Sequence, residues 1–198
     1  MLNKKFKSIF ILICAIVISE KSFSIEPNIF VQSTVNRASQ ILSDNSTKNE
    51  KIEKLKIIAK DTVDIRGIGF YTLGKYRKTL NDAQKDKYSE LFYEYFLKSF
   101  SSRLSEYSNP KIDVQSQEKL NENYTIVSSI LVATENRPEV KIQWRIYTKN
   151  SEKPMIRDLI IEGLSLARTQ KEEFSSIIQS NDGDINALFA SLEKFINN

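Results

Sequence analysis

The segment IRGIGFYTLGKYRKTLNDAQKDKYSELFYEYFLKSFSSRLSEY, residues 65–107, has a glycine-bearing first part and a long aromatic second part. Gly67, Gly69 and Gly74 are three of the chain's five glycines, and Tyr88, Phe92, Tyr93, Tyr95, Phe96, Phe100 and Tyr107 are seven of its nineteen phenylalanines and tyrosines. Turned in helical steps, residues 82–107 gather Glu90, Glu94, Lys98, Ser101 and Ser105 into one narrow arc. The aromatics and leucines spread over roughly 200° of the rest, about twice the stripe that covers one neighbour. Such a helix should touch two apolar partners, for example a sheet on one side and a second helix, or a bound ligand, on the other. Pattern alone does not choose between a central core helix and a ligand wall. Asn81 with Gln84 three residues on predicts a capping box at its start, and Ile68, Leu73 and Tyr76 share a face that predicts a short helix through the glycines.

Upstream, Val31, Val35, Ala38, Ile41 and Leu42 recur at helical spacing after Pro27, and residues 43–49 read as a polar loop. Ile52, Leu55, Ile58, Ala59 and Val63 mark a second helix ending near Asp64. Downstream, Ser108-Asn109-Pro110 stops the long helix and the period changes from helical to alternating. Four strands are predicted, over 111–117, 124–133, 140–147 and 155–162, joined by polar turns so short that neighbours must be antiparallel. In the third, Val140, Ile142, Trp144 and Ile146 face one way and Lys141, Gln143 and Arg145 the other, so one face is buried. In the fourth, Leu159 and Ile161 are the inward residues. Thr169 with Glu172 predicts the cap of a helix through Phe174, Ile177 and Ile178. Asn181-Asp182-Gly183 breaks it, and Ile185, Leu188, Phe189, Leu192 and Phe195 define a last helix. Helices, then strands, then helices make an α+β fold: helices packed on a curved four-stranded antiparallel sheet that wraps the long helix, a cone enclosing an apolar cavity.

A chain of 198 residues with 40% hydrophobic content is long enough for one domain with a sizeable core. Lys4, Lys5 and Lys7 precede the apolar run from Ile9 to Ile18, and Ser22-Phe23-Ser24 supplies small residues, so residues 1–24 read as a secretory signal peptide cleaved after Ser24 and 25–198 as a single domain. Without residues 1–24 the formal charge falls from +4 to +1, because four lysines and one glutamate leave with them. The remaining chain has no compact basic patch, which argues against nucleic acid as a partner. The one cysteine, Cys14, lies in the leader, so disulfide and thiolate chemistry are excluded from the mature chain.

The chain has no histidine, which removes every serine–histidine and cysteine–histidine arrangement. Gly163-Leu164-Ser165-Leu166-Ala167 therefore reads as a strand-to-helix turn and not as a nucleophile elbow. Gly67-Ile68-Gly69 lacks the third glycine of a dinucleotide site. Asp61 and Asp64, three apart at a helix end, are the remaining candidates for a carboxylate pair, and an exposed helix end explains them better. No cofactor, metal or enzymatic activity is expected.

Leu73-Gly74-Lys75-Tyr76-Arg77 followed by Gln84, the aromatic run from Phe92 to Tyr107, Val140 to Tyr147 with its central Trp144, Asp158-Leu159-Ile160-Ile161-Glu162-Gly163-Leu164-Ser165-Leu166 and then Phe174 occur here in one order. In this the sequence resembles the MlaC, or toluene-tolerance, family of periplasmic phospholipid-binding proteins, over nearly the whole mature chain. Lys171 stands where family members commonly have an arginine, keeping the charge without the bidentate geometry.

The resemblance implies an NTF2-like, cone-like architecture and a monomeric periplasmic carrier shuttling phospholipid between inner and outer membranes. Its implied partners are an inner-membrane MCE-domain ABC transporter complex and an outer-membrane lipoprotein–porin complex. The apolar walls expected are Ile68, Leu73, Tyr76, Phe92, Phe96 and Phe100 from the helices and Val127, Ile142, Trp144, Ile146, Leu159 and Ile161 from the sheet. Lys75, Arg77 and Arg103 are the headgroup candidates. Arg103 is placed by helical geometry inside the apolar arc, where it either meets a phosphate at a cavity mouth or pairs with an acidic side chain. A hopanoid or other polycyclic lipid is the alternative cargo. A small-molecule enzyme and a structural envelope adaptor are the alternatives of another class.

Overall fold

The computed structural model describes residues 24–198, so the expected leader lies, but for Ser24, outside the described residues. The order is α1 (Pro27–Ser43), α2 (Lys48–Thr62), α3 (Ile65–Thr72), a 3-10 turn (Gly74–Lys78), α4 (Asp82–Leu104), β1 (Ile112–Asn121), β2 (Tyr124–Leu131), β3 (Val140–Tyr147), β4 (Met155–Ile161), β5 (Leu164–Ser165), α5 (Leu166–Gln179) and α6 (Ile185–Asn197).

Local chemistry sets the helix ends. Pro27 opens α1, where its missing N–H is no loss, and Thr47 with Glu50 forms a reciprocal capping box for α2. The predicted box at Asn81 and Gln84 opens α4. The short helix read through the glycines is two pieces, because Gly74 takes φ +55° and breaks α3 from the 3-10 turn. Asp64 caps α3 by accepting a hydrogen bond from the Gly67 N–H at 2.8 Å.

The five strands form one antiparallel sheet in sequence order. The fifth was not foreseen. Glu162 and Gly163, both at positive φ, make a tight turn after β4, and Leu164–Ser165 folds back onto Ile160 and Ile161. That turn also moves the start of α5: Ser165 is its cap, accepting from the Arg168 N–H at 3.1 Å. Thr169, expected to be the cap, lies inside the helix and donates to the Ser165 carbonyl at 3.1 Å. β1 runs on to Asn121, past its predicted end, because its ladder with β2 continues through residues with no apolar alternation. Register shifts mark bulges at Gln115 and Leu120 in β1, and a third sits at Arg157 in β4.

The register lays out the buried face in rows. Val127, Trp144 and Leu159 stand opposite one another across β2, β3 and β4, as do Ser129, Ile142 and Ile161. The bulge at Arg157 puts Ile156 beside Ile146 on this same face, which is why the alternation of β4 is irregular in the sequence. Tyr124, Arg145, Tyr147 and Asp158 belong to the opposite face.

The layers differ from the expected wrapping. α4 packs chiefly on α2, α3 and α6, α1 lies against β1 and β2, and α3 and α5 meet β4. The long helix is thus enclosed mostly by other helices, and three of them cover most of its broad apolar surface. Ser101, expected in the polar arc, is buried and donates to the Leu97 carbonyl at 2.6 Å. At the end of α2 the chain runs beside β4: Val63 bridges Ile156, and the Asp64 N–H donates to the Ile156 carbonyl at 3.0 Å.

Candidate functional site

The helical side of the site is an aromatic ladder on α4. Tyr88 and Phe92 stack with ring centroids 5.7 Å apart, Phe96 follows Phe92 at 6.2 Å, and Phe100 stacks on Phe96 at 5.6 Å with planes 12° apart. Phe174 of α5 meets Phe92 edge-on at 6.2 Å. Offset and edge-on pairs of this kind add about 0.5–1.5 kcal/mol each beyond area burial. The Tyr88 hydroxyl shares a 2.7 Å hydrogen bond with Thr72 Oγ1, tying α4 to α3. Burial pushes this phenol well above its ordinary pKa, against the pull of that bond. Burial, and then the charge of Glu173, raises Tyr95 as well, whose hydroxyl donates to Gln170 Oε1 at 2.7 Å.

On the sheet side, Trp144 is buried with its indole N–H donating to Ser129 Oγ at 2.8 Å, and Ser129 in turn donates to the Ile142 carbonyl at 3.3 Å. The polar edge of the indole is therefore satisfied within the sheet and only its apolar ring is presented to the core. Of the twelve expected wall residues, Ile68, Leu73, Phe92, Val127, Ile142, Trp144 and Ile146 are buried in one continuous core, and Tyr76, Phe96, Phe100 and Leu159 pack half-buried against it. Ile161 is half-buried, opposite Ile142.

The headgroup candidates lie elsewhere. Lys75 and Arg77 are exposed on the 3-10 turn, Lys75 with its ammonium 5.2 Å from the Tyr76 ring centroid. Arg103 is exposed in the last turn of α4, where a cation complements the helix dipole, and among the described residues it forms no ion pair. Asp61 and Asp64 do not act as a pair. Asp61 bridges Arg37 at 2.8 Å, and Asp64 caps α3 and bridges Arg157 at 2.5 Å.

Sequence reading missed a polar cluster on the opposite sheet face. Asp158, only 4% exposed, accepts from the Ala167 N–H at 3.0 Å and from Ser165 Oγ at 2.6 Å, pinning the start of α5 to β4. Arg145 stands opposite it with a guanidinium nitrogen 3.6 Å away. Arg157 lies 4.3 Å from the Tyr147 ring centroid and donates to Tyr124 Oη at 3.4 Å. These groups border a cavity of about 300 Å³ between α3, the tip of the β1–β2 hairpin and this sheet face, with Ile68 also in its wall. A second cavity of about 300 Å³ lies along the same face beside Lys141, Gln143 and Glu162. The charged pair Arg157-Asp158, set between Ile156 and the apolar run Leu159-Ile160-Ile161 of one strand, was the available signal for the cluster.

This arrangement of helices over a curved antiparallel sheet is the fold of a phospholipid-binding protein from Ralstonia solanacearum, solved in complex with a phospholipid. The TM-score is 0.73 at 16% identity, covering 87% of this chain and 98% of that one. The chain belongs to the MlaC family, whose model, MlaC protein, matches residues 32–194. A relative, the intermembrane phospholipid transport system binding protein MlaC of Haemophilus influenzae, is 23% identical over 168 residues, which span 79% of this chain and 77% of that protein.

Proposed function

We propose that this protein is a periplasmic carrier that binds phospholipid and shuttles it between the inner and outer membranes. The observation that carries the reading is an apolar wall wider than the protein itself closes over. Phe96, Phe100, Tyr76 and Leu159 pack on the core yet stay half-buried, where a hydrocarbon ligand would complete their burial. Family membership and the bound phospholipid of the Ralstonia neighbour support the choice of ligand.

The energetics fit a carrier. At about 0.8 kcal/mol per methylene, each ~16-carbon acyl chain costs on the order of 13 kcal/mol to expose to water, so a shuttle must enclose the chains throughout. Taking them up means separating side chains that now touch one another; no bond is made or broken, so the function needs no catalytic group. The MCE-domain ABC transporter complex of the inner membrane and the lipoprotein–porin complex of the outer membrane are the proposed donor and acceptor, and phospholipid is cargo, not cofactor.

Native mass spectrometry of the protein purified from the envelope fraction tests the reading. Phospholipid masses on the folded protein are expected, and extraction separates them from a hopanoid. Protein free of lipid from every source tested would overturn the proposal.

A further inference from the structure

The guanidinium of Arg145 has unused hydrogen-bonding capacity. It makes no hydrogen bond among the described residues, and its Nε is buried without a partner. The one carboxylate near it, Asp158, pairs with it at 3.6 Å, too long for a hydrogen bond, and takes its hydrogen bonds from the Ala167 N–H and the Ser165 hydroxyl, so the donors of the guanidinium stay free. Arg157, across the cavity, shares the unpartnered buried Nε, but its other nitrogens are committed: it bridges Asp64, reaches Tyr124 and stacks on Tyr147, and its Nε lies against Gly67, where even an added Cβ would come within 2.7 Å. A half-buried guanidinium left with free donors normally has a partner.

The surroundings say what kind. Beside Arg145 the cavity is walled by Ile68, Tyr71, Leu120 and Tyr124. Leu120 is one of the two bulged residues of β1 and is 55% exposed, and Tyr71 is 43% exposed, so the mouth has an apolar rim. Ile68 lines the cavity and also belongs to the continuous core, so hydrocarbon reaching past the arginine meets the core there. An oxyanion carried on hydrocarbon fits both halves of this site. We propose that Arg145 binds the headgroup phosphate of the lipid cargo, with the cavity between α3 and the β1–β2 hairpin as its seat, in place of the expected Lys75, Arg77 and Arg103. This assignment rests on the phospholipid reading.

The test uses the full chain expressed with its own N-terminus, purified and stripped of lipid. Binding of dihexanoyl phosphatidylglycerol, of uncharged dihexanoylglycerol and of inorganic phosphate is measured for wild type, Arg145→Gln and Arg145→Lys, with thermal unfolding of each. Wild type is expected to prefer the phosphate-bearing lipid about tenfold or more, the worth of a charge-assisted hydrogen bond. Arg145→Gln should remove most of that preference while leaving dihexanoylglycerol affinity unchanged, with some loss of melting temperature from the countercharge taken from buried Asp158, and Arg145→Lys should restore part of both. The Arg145 Nε–H resonance of wild type should shift with phosphatidylglycerol and not with dihexanoylglycerol, a readout independent of any variant's folding.

An unchanged preference in Arg145→Gln overturns the assignment and leaves lipid binding standing. Equal weakening of both lipids marks a structural arginine and overturns it too. Inorganic phosphate binding as tightly as the phosphatidylglycerol would make this a site for free phosphate and overturn its assignment to lipid. Wild type that takes up neither lipid overturns both this and the proposed function.

Discussion

Gly69→Ala puts the packing of α3 on α4 to a test in which two effects have opposite signs. In an exposed helix the change stabilises by about 0.8–1.0 kcal/mol, because alanine is the better helix former. Here a Cβ at Gly69 would lie 2.8 Å from Phe92 Cδ1 and 3.2 Å from its Cγ, well inside the ordinary carbon–carbon contact of about 3.5–4.0 Å. The ring would have to retreat by roughly 0.7 Å. It is 2% exposed, stacked on Tyr88 and met edge-on by Phe174, so it has nowhere to go without disturbing both. Overpacking of this kind costs about 1–3 kcal/mol, which outweighs the helical gain. A net loss of about 1 kcal/mol is expected, read as a lower urea midpoint at unchanged slope and a melting temperature lower by about 2–4 °C. In a Phe92→Leu background the smaller side chain should relieve most of the cost. A Gly69→Ala protein as stable as wild type, or a cost that persists undiminished in the Phe92→Leu background, would refute the packing argument.

Further predictions concern the same layers. Phe92→Ala should destabilise by about 3–5 kcal/mol, while Phe96→Ala, half-buried, should cost clearly less yet lower the phospholipid recovered per folded protein, as measured by chemical denaturation beside lipid extraction. Tyr88 keeps its proton more tightly folded than unfolded, so its contribution is complete below the ordinary tyrosine pKa of about 10 and fades as pH rises above it. Tyr88→Phe should lose about 0.5–1.5 kcal/mol at neutral pH and soften the alkaline fall in stability, checked by melting across pH 8–12. Asp64→Ala removes both the α3 cap and the partner of Arg157, and should cost about 1–3 kcal/mol by urea unfolding, more than Asp61→Ala, which loses an exposed bridge.

Periodicity carried the fold a long way. The alternation of Ile142, Trp144 and Ile146 marked the buried face of β3, and Asn81 with Gln84 marked the start of α4, because both signals are local. What escaped was set by contacts distant in sequence. Ser165 rather than Thr169 caps α5 because the chain turns back on β4 first, and no spacing of residues announces that turn's geometry. The breadth of α4 was legible but its cause was not: an apolar face reads the same whether helix, sheet or lipid covers it, and here three helices do most of the covering. Arg103 shows the same limit, since its angular position near Phe92 and Phe96 gave no sign that it is exposed in the last turn of α4. Arg145 was correctly placed on the face opposite Trp144, but its cavity was not legible because it is made by α3 and a hairpin tip from elsewhere in the chain.

The bulges in β1 bear on what a sheet does at its borders. One border is closed, by β5 at one end of β4 and by Val63 at the other. The other is β1 itself, whose outward ladder groups have no strand beyond them among the described residues. Gln115 and Leu120 interrupt that ladder, and Asp113, Glu118 and Lys119 stand along it. An incoming strand would find only a few residues of continuous register before a bend or a charge turned it away. The open border is thereby kept from templating fibres, and a chain with so much apolar surface to protect gains resistance to self-association from its least buried strand.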